Sequence, residues 1–148
     1  TPSNSSAASD VYKRQVIGVV LCISKKYRRG GMQMLSAELL SFIVGNLIIK
    51  NMVDRLRPCQ IDETVSLIVK IPFDSSFPSG HTLNGITAAV TLMFIDKRMG
   101  IPAIVLAVLI AFSRMYNFMH FPTDVLAGAV LGVVSAVFVN FLFKRAGN

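Results

Sequence analysis

The stretch Pro122-Thr-Asp-Val-Leu-Ala-Gly-Ala-Val-Leu-Gly-Val-Val-Ser-Ala-Val-Phe-Val-Asn-Phe-Leu-Phe-Lys144-Arg145 decides the fold. Nothing between Asp124 and Lys144 is charged. A helix over this run rises 1.5 Å per residue and so matches a hydrocarbon core roughly 30 Å thick. Pro122 suits a first helical turn and Asp124 the positive end of the dipole. Lys144-Arg145 is a basic stop of the kind found on the cytoplasmic side.

The same pattern recurs outward from it. Of the 148 residues, 53% are hydrophobic and only 16% charged, against about a quarter charged in soluble domains. The apolar residues fall in long blocks, which are spans rather than one side of an amphipathic core. Met32 to about Ile49 reads as a complete span, Pro78-Ser-Gly-His81 opens another that runs to about Ile95, and Ile101–Phe112 continues helically through Arg114 towards Asn117. Asp96-Lys-Arg-Met-Gly100 reads as a tight turn and Met119-His-Phe121 as a short connection. The expected fold is all-α, a polytopic membrane helical bundle with four complete transmembrane helices plus a truncated N-terminal one. Cys59–Phe77 is the longest connection, with Leu67-Ile-Val-Lys-Ile71 as either a lip on the membrane surface or a cover over the motif residues.

The net charge of +7 could suggest nucleic acid, but its distribution excludes that partner. Lys25, Lys26, Arg28 and Arg29 follow one apolar block, Lys97-Arg98 separates two others, and Lys144-Arg145 follows the last. These are juxtamembrane positions that encode orientation. With Lys25–Arg29 in the cytoplasm, Lys50–Arg57 falls outside, Lys97-Arg98 inside, Arg114–Asp124 outside and Lys144-Arg145 inside. Cys22 and Cys59 then face opposite sides of the membrane, too far apart to pair. Gly128, Gly132 and Ala136 form a small-residue stripe for close helix packing, within the chain or in a homodimer.

Residues 1–15 are expected to be a non-native or disordered tail. Ser5-Ser-Ala-Ala-Ser-Asp-Val-Tyr-Lys-Arg-Gln15 resembles the translation of a transposon-based sequencing adapter and is left out of fold reasoning. Val16–Ser24 is apolar but far shorter than the ~20 residues of a span, and reads as the second half of a helix. The membrane domain is therefore expected over residues 16–148, truncated at its N-terminus.

Three motifs carry chemistry: Lys50-Asn-Met-Val-Asp-Arg-Leu-Arg57-Pro58, Pro78-Ser-Gly-His81, and Ser113-Arg114 with His120 and Asp124. Ionisable groups at the edge of a membrane are expensive and usually functional. Lys50 and Arg57, seven apart, share a face of a continued helix that Pro58 would end. Lys50, Arg57 and Arg114 can surround a phosphoryl group, arginine with forked donors and lysine with a point charge. Ser79 and Gly80 add a hydroxyl and backbone N–H groups at a helix start, or simply cap the helix. Asp124, four residues after His120, can reach an imidazole nitrogen and leave the other free to attack phosphorus, while His81 protonates the departing oxygen. A zinc site of His81, His120 and Asp124 competes with this reading, but three cations around one spot would repel a divalent ion. No metal and no cofactor is expected.

The order and spacing of these motifs resemble the type-2 phosphatidic acid phosphatase family over almost all of residues 16–148. The resemblance implies that His120 forms a phosphohistidine, that Asp124 orients it, that His81 is the acid, and that Lys50, Arg57, Ser79, Gly80 and Arg114 hold the phosphate. It implies a metal-independent membrane enzyme acting on a lipid phosphate or diphosphate at the extracytoplasmic side of the cell membrane. Undecaprenyl diphosphate is the expected substrate, with phosphatidic acid and phosphatidylglycerophosphate next. A non-catalytic anion-binding or transport protein on the same scaffold is the alternative.

Overall fold

A computed structural model describes residues 16–61 and 74–147, and among these every regular element is helical. A short helix α1 (residues 16–23) is followed by α2 (Arg28–Ser41), which runs without a break through a π-helical stretch (Phe42–Ile49) into α3 (Lys50–Val53). A one-turn helix α4 (Pro58–Ile61) precedes α5 (Gly80–Ile95), α6 (Lys97–Tyr116) and α7 (Pro122–Arg145). Three segments, Arg28–Ile61, Lys97–Tyr116 and Pro122–Arg145, are long and apolar enough to cross a membrane. α5 is apolar but has 16 residues, about 24 Å of helix.

What is buried and what is exposed reverses the pattern of a soluble protein. Leu106, Leu109, Phe112, Leu126, Phe138 and Phe141 face outward. Ser41, Thr87, Thr91, Ser135 and a run of alanines are inside. Where lipid is as apolar as leucine, helices gain most by close approach and hydrogen bonding, so small and hydroxylated residues collect between them. Thr87 and Thr91 each donate to the carbonyl four residues back, at 2.8 Å, so their hydroxyls have partners inside the helix itself. Gln33 donates to Asn140 across α2 and α7 at 3.1 Å.

α5 is the hub, packed against α2, α6 and α7. Its contact with α7 uses the small-residue stripe. A Cβ at Gly128 would stand 2.7 Å from the Ser79 carbonyl, and one at Gly132 2.7 Å from the Leu83 carbonyl. The stripe therefore packs inside the chain, against α5. Two apolar clusters flank this seam, Leu21, Met34, Ala88 and Leu92 on one side and Ile86, Ala89 and Ala107 on the other.

The elements differ from the sequence reading at two points. The helix carrying Lys50 does not continue to Arg57. It ends at Val53 because Asp54 turns into the left-handed region (φ 40°), which aspartate tolerates better than most residues. Pro58 accordingly opens a helical turn instead of closing one, as its fixed φ allows at a first position. Asp96-Lys-Arg-Met-Gly100 is also not a tight turn. Asp96 caps α6 by accepting the Arg98 N–H at 2.8 Å, and the helix starts at Lys97. The lip or cover placed at Leu67–Ile71 lies outside the described residues.

Candidate active site

Three connections meet at one end of the bundle: the chain after α3, the strap Asp74-Ser75-Ser76 leading to α5, and the α6–α7 loop that carries His120. Backbone bonds fix them together. Ser76 N–H donates to the Arg55 carbonyl at 2.7 Å, Cys59 N–H to Phe118 at 3.1 Å, and Ser79 N–H to Asp124 at 3.0 Å. The loop turns tightly because Phe118 takes a positive φ of 53° and Met119 N–H returns to the Arg114 carbonyl at 3.1 Å.

Arg57 is buried in the middle of this junction. Its Nη1 donates to the Met119 carbonyl at 3.0 Å and to His120 Nε2 at 3.2 Å, while Nη2 donates to Asp74 Oδ1 at 2.7 Å. The other oxygen of Asp74 lies 2.5 Å from Lys50 Nζ. Lys50 and Arg57, expected on one helical face, thus converge by another route, a carboxylate between them.

His120 is buried, and its two ring nitrogens have different surroundings. Nδ1–H donates to the Ser76 carbonyl at 2.8 Å. Nε2 faces a guanidinium, which has no acceptor, so it must present its lone pair. Burial, reinforced by the Arg57 charge, lowers the pKa to about 3, against the opposing pull of the Ser76 carbonyl and Asp124. The ring is therefore neutral near pH 7, with its unprotonated nitrogen accepting from Arg57.

Asp124 is fully buried at the first turn of α7. It accepts Phe121 N–H at 2.9 Å and the Ser76 hydroxyl at 2.6 Å on Oδ2, and Arg55 Nη1 at 2.8 Å on Oδ1. Its distance to His120 Nδ1 is 3.8 Å, beyond hydrogen-bond range. The proton that the sequence reading gave to Asp124 goes to the Ser76 carbonyl, with the carboxylate one residue behind.

The remaining expected residues share this end. Ser79, buried, accepts from Thr82 at 3.0 Å. Gly80 begins α5, where a Cβ would stand 3.1 Å from Asn46 Oδ1, and His81 follows it in the first turn. Arg114 is in the last turn of α6. Both side chains are partly buried.

Sequence reasoning missed Arg55, Asp74 and Ser76. Arg55 binds Thr123 Oγ1 and Asp124, each at 2.8 Å, and stacks 4.2 Å from the centre of the Phe121 ring. Its place two residues before Arg57 was a usable signal, since alternate residues of an extended chain face one way. Asp74 and Ser76 gave none, because a polar connection contains such residues anyway.

The profile of the PAP2 superfamily matches residues 30–147. An undecaprenyl-diphosphatase of Sulfolobus acidocaldarius is 36% identical over 117 residues, 78% of this chain and 56% of that protein. Phosphatidylglycerophosphatase B of Bacillus subtilis is 33% identical over 100 residues, 60% of this chain and 46% of that one. The chain spans about half the length of these curated relatives. Its fold superposes with a TM-score of 0.74 on the crystal structure of a transmembrane PAP2-type phosphatidylglycerolphosphate phosphatase from Bacillus subtilis, at 26% identity, covering 95% of this chain and 71% of that one.

Proposed function

This chain belongs to the PAP2 superfamily, and from that premise we propose that it is a multi-pass membrane phosphatase acting on a lipid phosphate or diphosphate through a phosphohistidine. The observation that carries the reading is His120, a buried neutral imidazole whose one proton is committed to Ser76 and whose unprotonated Nε2 accepts from Arg57, a donor that a phosphoryl oxygen can take over as the nitrogen attacks.

In the first half-reaction the Nε2 lone pair forms the N–P bond as the bond from phosphorus to the leaving oxygen breaks, and His81 protonates that oxygen. Lys50, Arg57 and Arg114, with the Ser79 hydroxyl and the N–H groups at the start of α5, hold the nonbridging oxygens as charge shifts among them. In the second half, water attacks phosphorus, His81 takes its proton, and the N–P bond breaks to release phosphate and restore His120. Asp124 supports the imidazolium character that the ring acquires while phosphorylated.

The substrate class is favoured by the position of the site, at a bundle end whose helices expose apolar surface to lipid. Undecaprenyl diphosphate is the first choice, given the name of the Sulfolobus relative; phosphatidylglycerophosphate and phosphatidic acid follow. The site faces the extracytoplasmic side, opposite the basic stops, and the membrane domain comprises residues 16–148 with α5 spanning alongside the three longer helices. The test is phosphate release from these three lipids in detergent micelles, with acid-quench trapping of a phosphoenzyme. We expect turnover and a labelled protein that disappears in His120→Ala. No release from any lipid, or a phosphoenzyme that persists in His120→Ala, rejects the reading.

A further inference from the structure

Ser76 is fully buried and touches both halves of the proposed nucleophile assembly. Its carbonyl accepts His120 Nδ1–H at 2.8 Å, its hydroxyl donates to Asp124 Oδ2 at 2.6 Å, and the same hydroxyl oxygen lies 3.4 Å from Nδ1. We propose that Ser76 is the positioning residue through which Asp124 acts on His120: the carbonyl fixes the tautomer, and the hydroxyl keeps the carboxylate from taking the imidazole proton itself. The inference rests on the phosphohistidine reading for its rate effects, but its geometric content stands apart from activity.

A buried carboxylate needs its lone pairs occupied. Asp124 has three donors, and Phe121 N–H and Arg55 stay in place whatever residue occupies position 76. Without the hydroxyl, Oδ2 is short of one donor, and a candidate replacement is Nδ1–H at 3.8 Å. The ring would then swing off the Ser76 carbonyl towards Asp124. Nε2 would leave its position beside Arg57, and a misplacement of about 1 Å at a reacting atom costs on the order of a hundredfold in rate. The strap resists such movement because Ser76 N–H is tied to Arg55, whose side chain is bound to Asp124. Removing the hydroxyl opens that ring of contacts at one point only.

The test has two arms. In the first, kinetics of Ser76→Ala should show kcat reduced 10- to 100-fold with KM within twofold of wild type, and almost no further loss when the change is added to Asp124→Asn, since both act through one chain of contacts. In the second, His120 is titrated by NMR in a His81→Gln background, where it is the sole histidine. Ser76→Ala should raise its pKa by about one unit or more, as direct contact with the carboxylate favours the charged ring; Arg57 and Lys50, which oppose protonation, are unchanged. If Ser76→Ala does not fold, Ser76→Cys keeps the volume with a weaker donor and should show smaller shifts in the same directions. A folded variant with wild-type kcat and titration overturns the proposal, as does a rate loss that multiplies fully with that of Asp124→Asn. Inactive wild type would reject the phosphatase reading, and the titration would still decide the role of Ser76.

Discussion

Asp74 places Oδ1 2.7 Å from Arg57 Nη2, and its Oδ2 is 2.5 Å from Lys50 Nζ. Two cations assigned to phosphate thus already hold an anion. Partial burial pushes the Asp74 carboxyl up, but the hydrogen bonds and charges of Lys50 and then Arg57 outweigh it and hold the group below the usual carboxylate range. A substrate phosphoryl group must displace or share this carboxylate. Asp74→Asn should lower the inhibition constant for inorganic phosphate and vanadate by about tenfold, equivalent to roughly 1.4 kcal/mol. A higher inhibition constant would mean that Asp74 organises the cations for phosphate instead of competing with it.

The second prediction concerns protonation. The fold holds His120 at about 3 against an ordinary 6.5. The unfolded chain therefore binds the proton more tightly, and the stability contributed by the neutral ring is complete above about pH 6.5 and lost as pH falls towards 3. In His81→Gln, NMR of the remaining histidine should show no titration between pH 8 and 5. A midpoint near 6.5 would place the ring in a wetter, less cationic setting than the one described.

The apolar helices, and the gathering of the motif residues at one end of them, were legible because each rests on a local signal: an apolar run between basic stops, or a cation, histidine or carboxylate where lipid should forbid one. Asp124 at the start of α7 and the Gly128–Gly132 seam were readable for that reason. What was not legible depends on distant partners. Ser76 acquires its role from residues 44 and 48 positions later, and Asp74 from cations on the other side of the longest connection. The end of the helix at Val53 had no Gly or Pro to announce it. The left-handed Asp54 turns the chain so that Arg57 reaches under Met119, and that requirement belongs to the assembled site.

Asp124→Asn tests the buried carboxylate. An amide keeps one oxygen but offers N–H groups where Ser76, Phe121 and Arg55 also donate, so at least one contact must break. We expect kcat to fall by about 10² to 10⁴, together with a lower melting temperature in detergent, because Asp124 also caps α7. Loss of rate with unchanged stability would separate the two roles; wild-type kinetics would remove Asp124 from the chemistry.

Gly132→Ala tests the α5–α7 seam. The new methyl would stand 2.7 Å from the Leu83 carbonyl and 3.1 Å from the Thr87 nitrogen, both backbone atoms of a helix that cannot yield separately. Overpacking of this kind costs about 1–3 kcal/mol, and prising α7 away would also strain the Ser79 to Asp124 bond. A lower melting temperature and lower kcat are expected, with the oligomeric state unchanged. Dissociation of a dimer without destabilisation would mean that the stripe also serves a partner.

Sidedness is tested by cysteine labelling, and the fold determines which positions can report. Thr82, beside His81, is 1% exposed and would stay unlabelled on either side of the membrane. Met52 and Thr123 are exposed at the site end, and Arg98 is exposed at the opposite end. With Cys22 and Cys59 replaced by serine, Met52→Cys and Thr123→Cys should react with a membrane-impermeant thiol reagent in intact cells. Arg98→Cys should react only after the membrane is opened. The expectation rests on the basic stops at Lys25–Arg29, Lys97-Arg98 and Lys144-Arg145, which the positive-inside rule puts in the cytoplasm. Labelling of Arg98→Cys in intact cells, with Met52→Cys and Thr123→Cys protected, would turn the site to the cytoplasm and put a substrate in the inner leaflet.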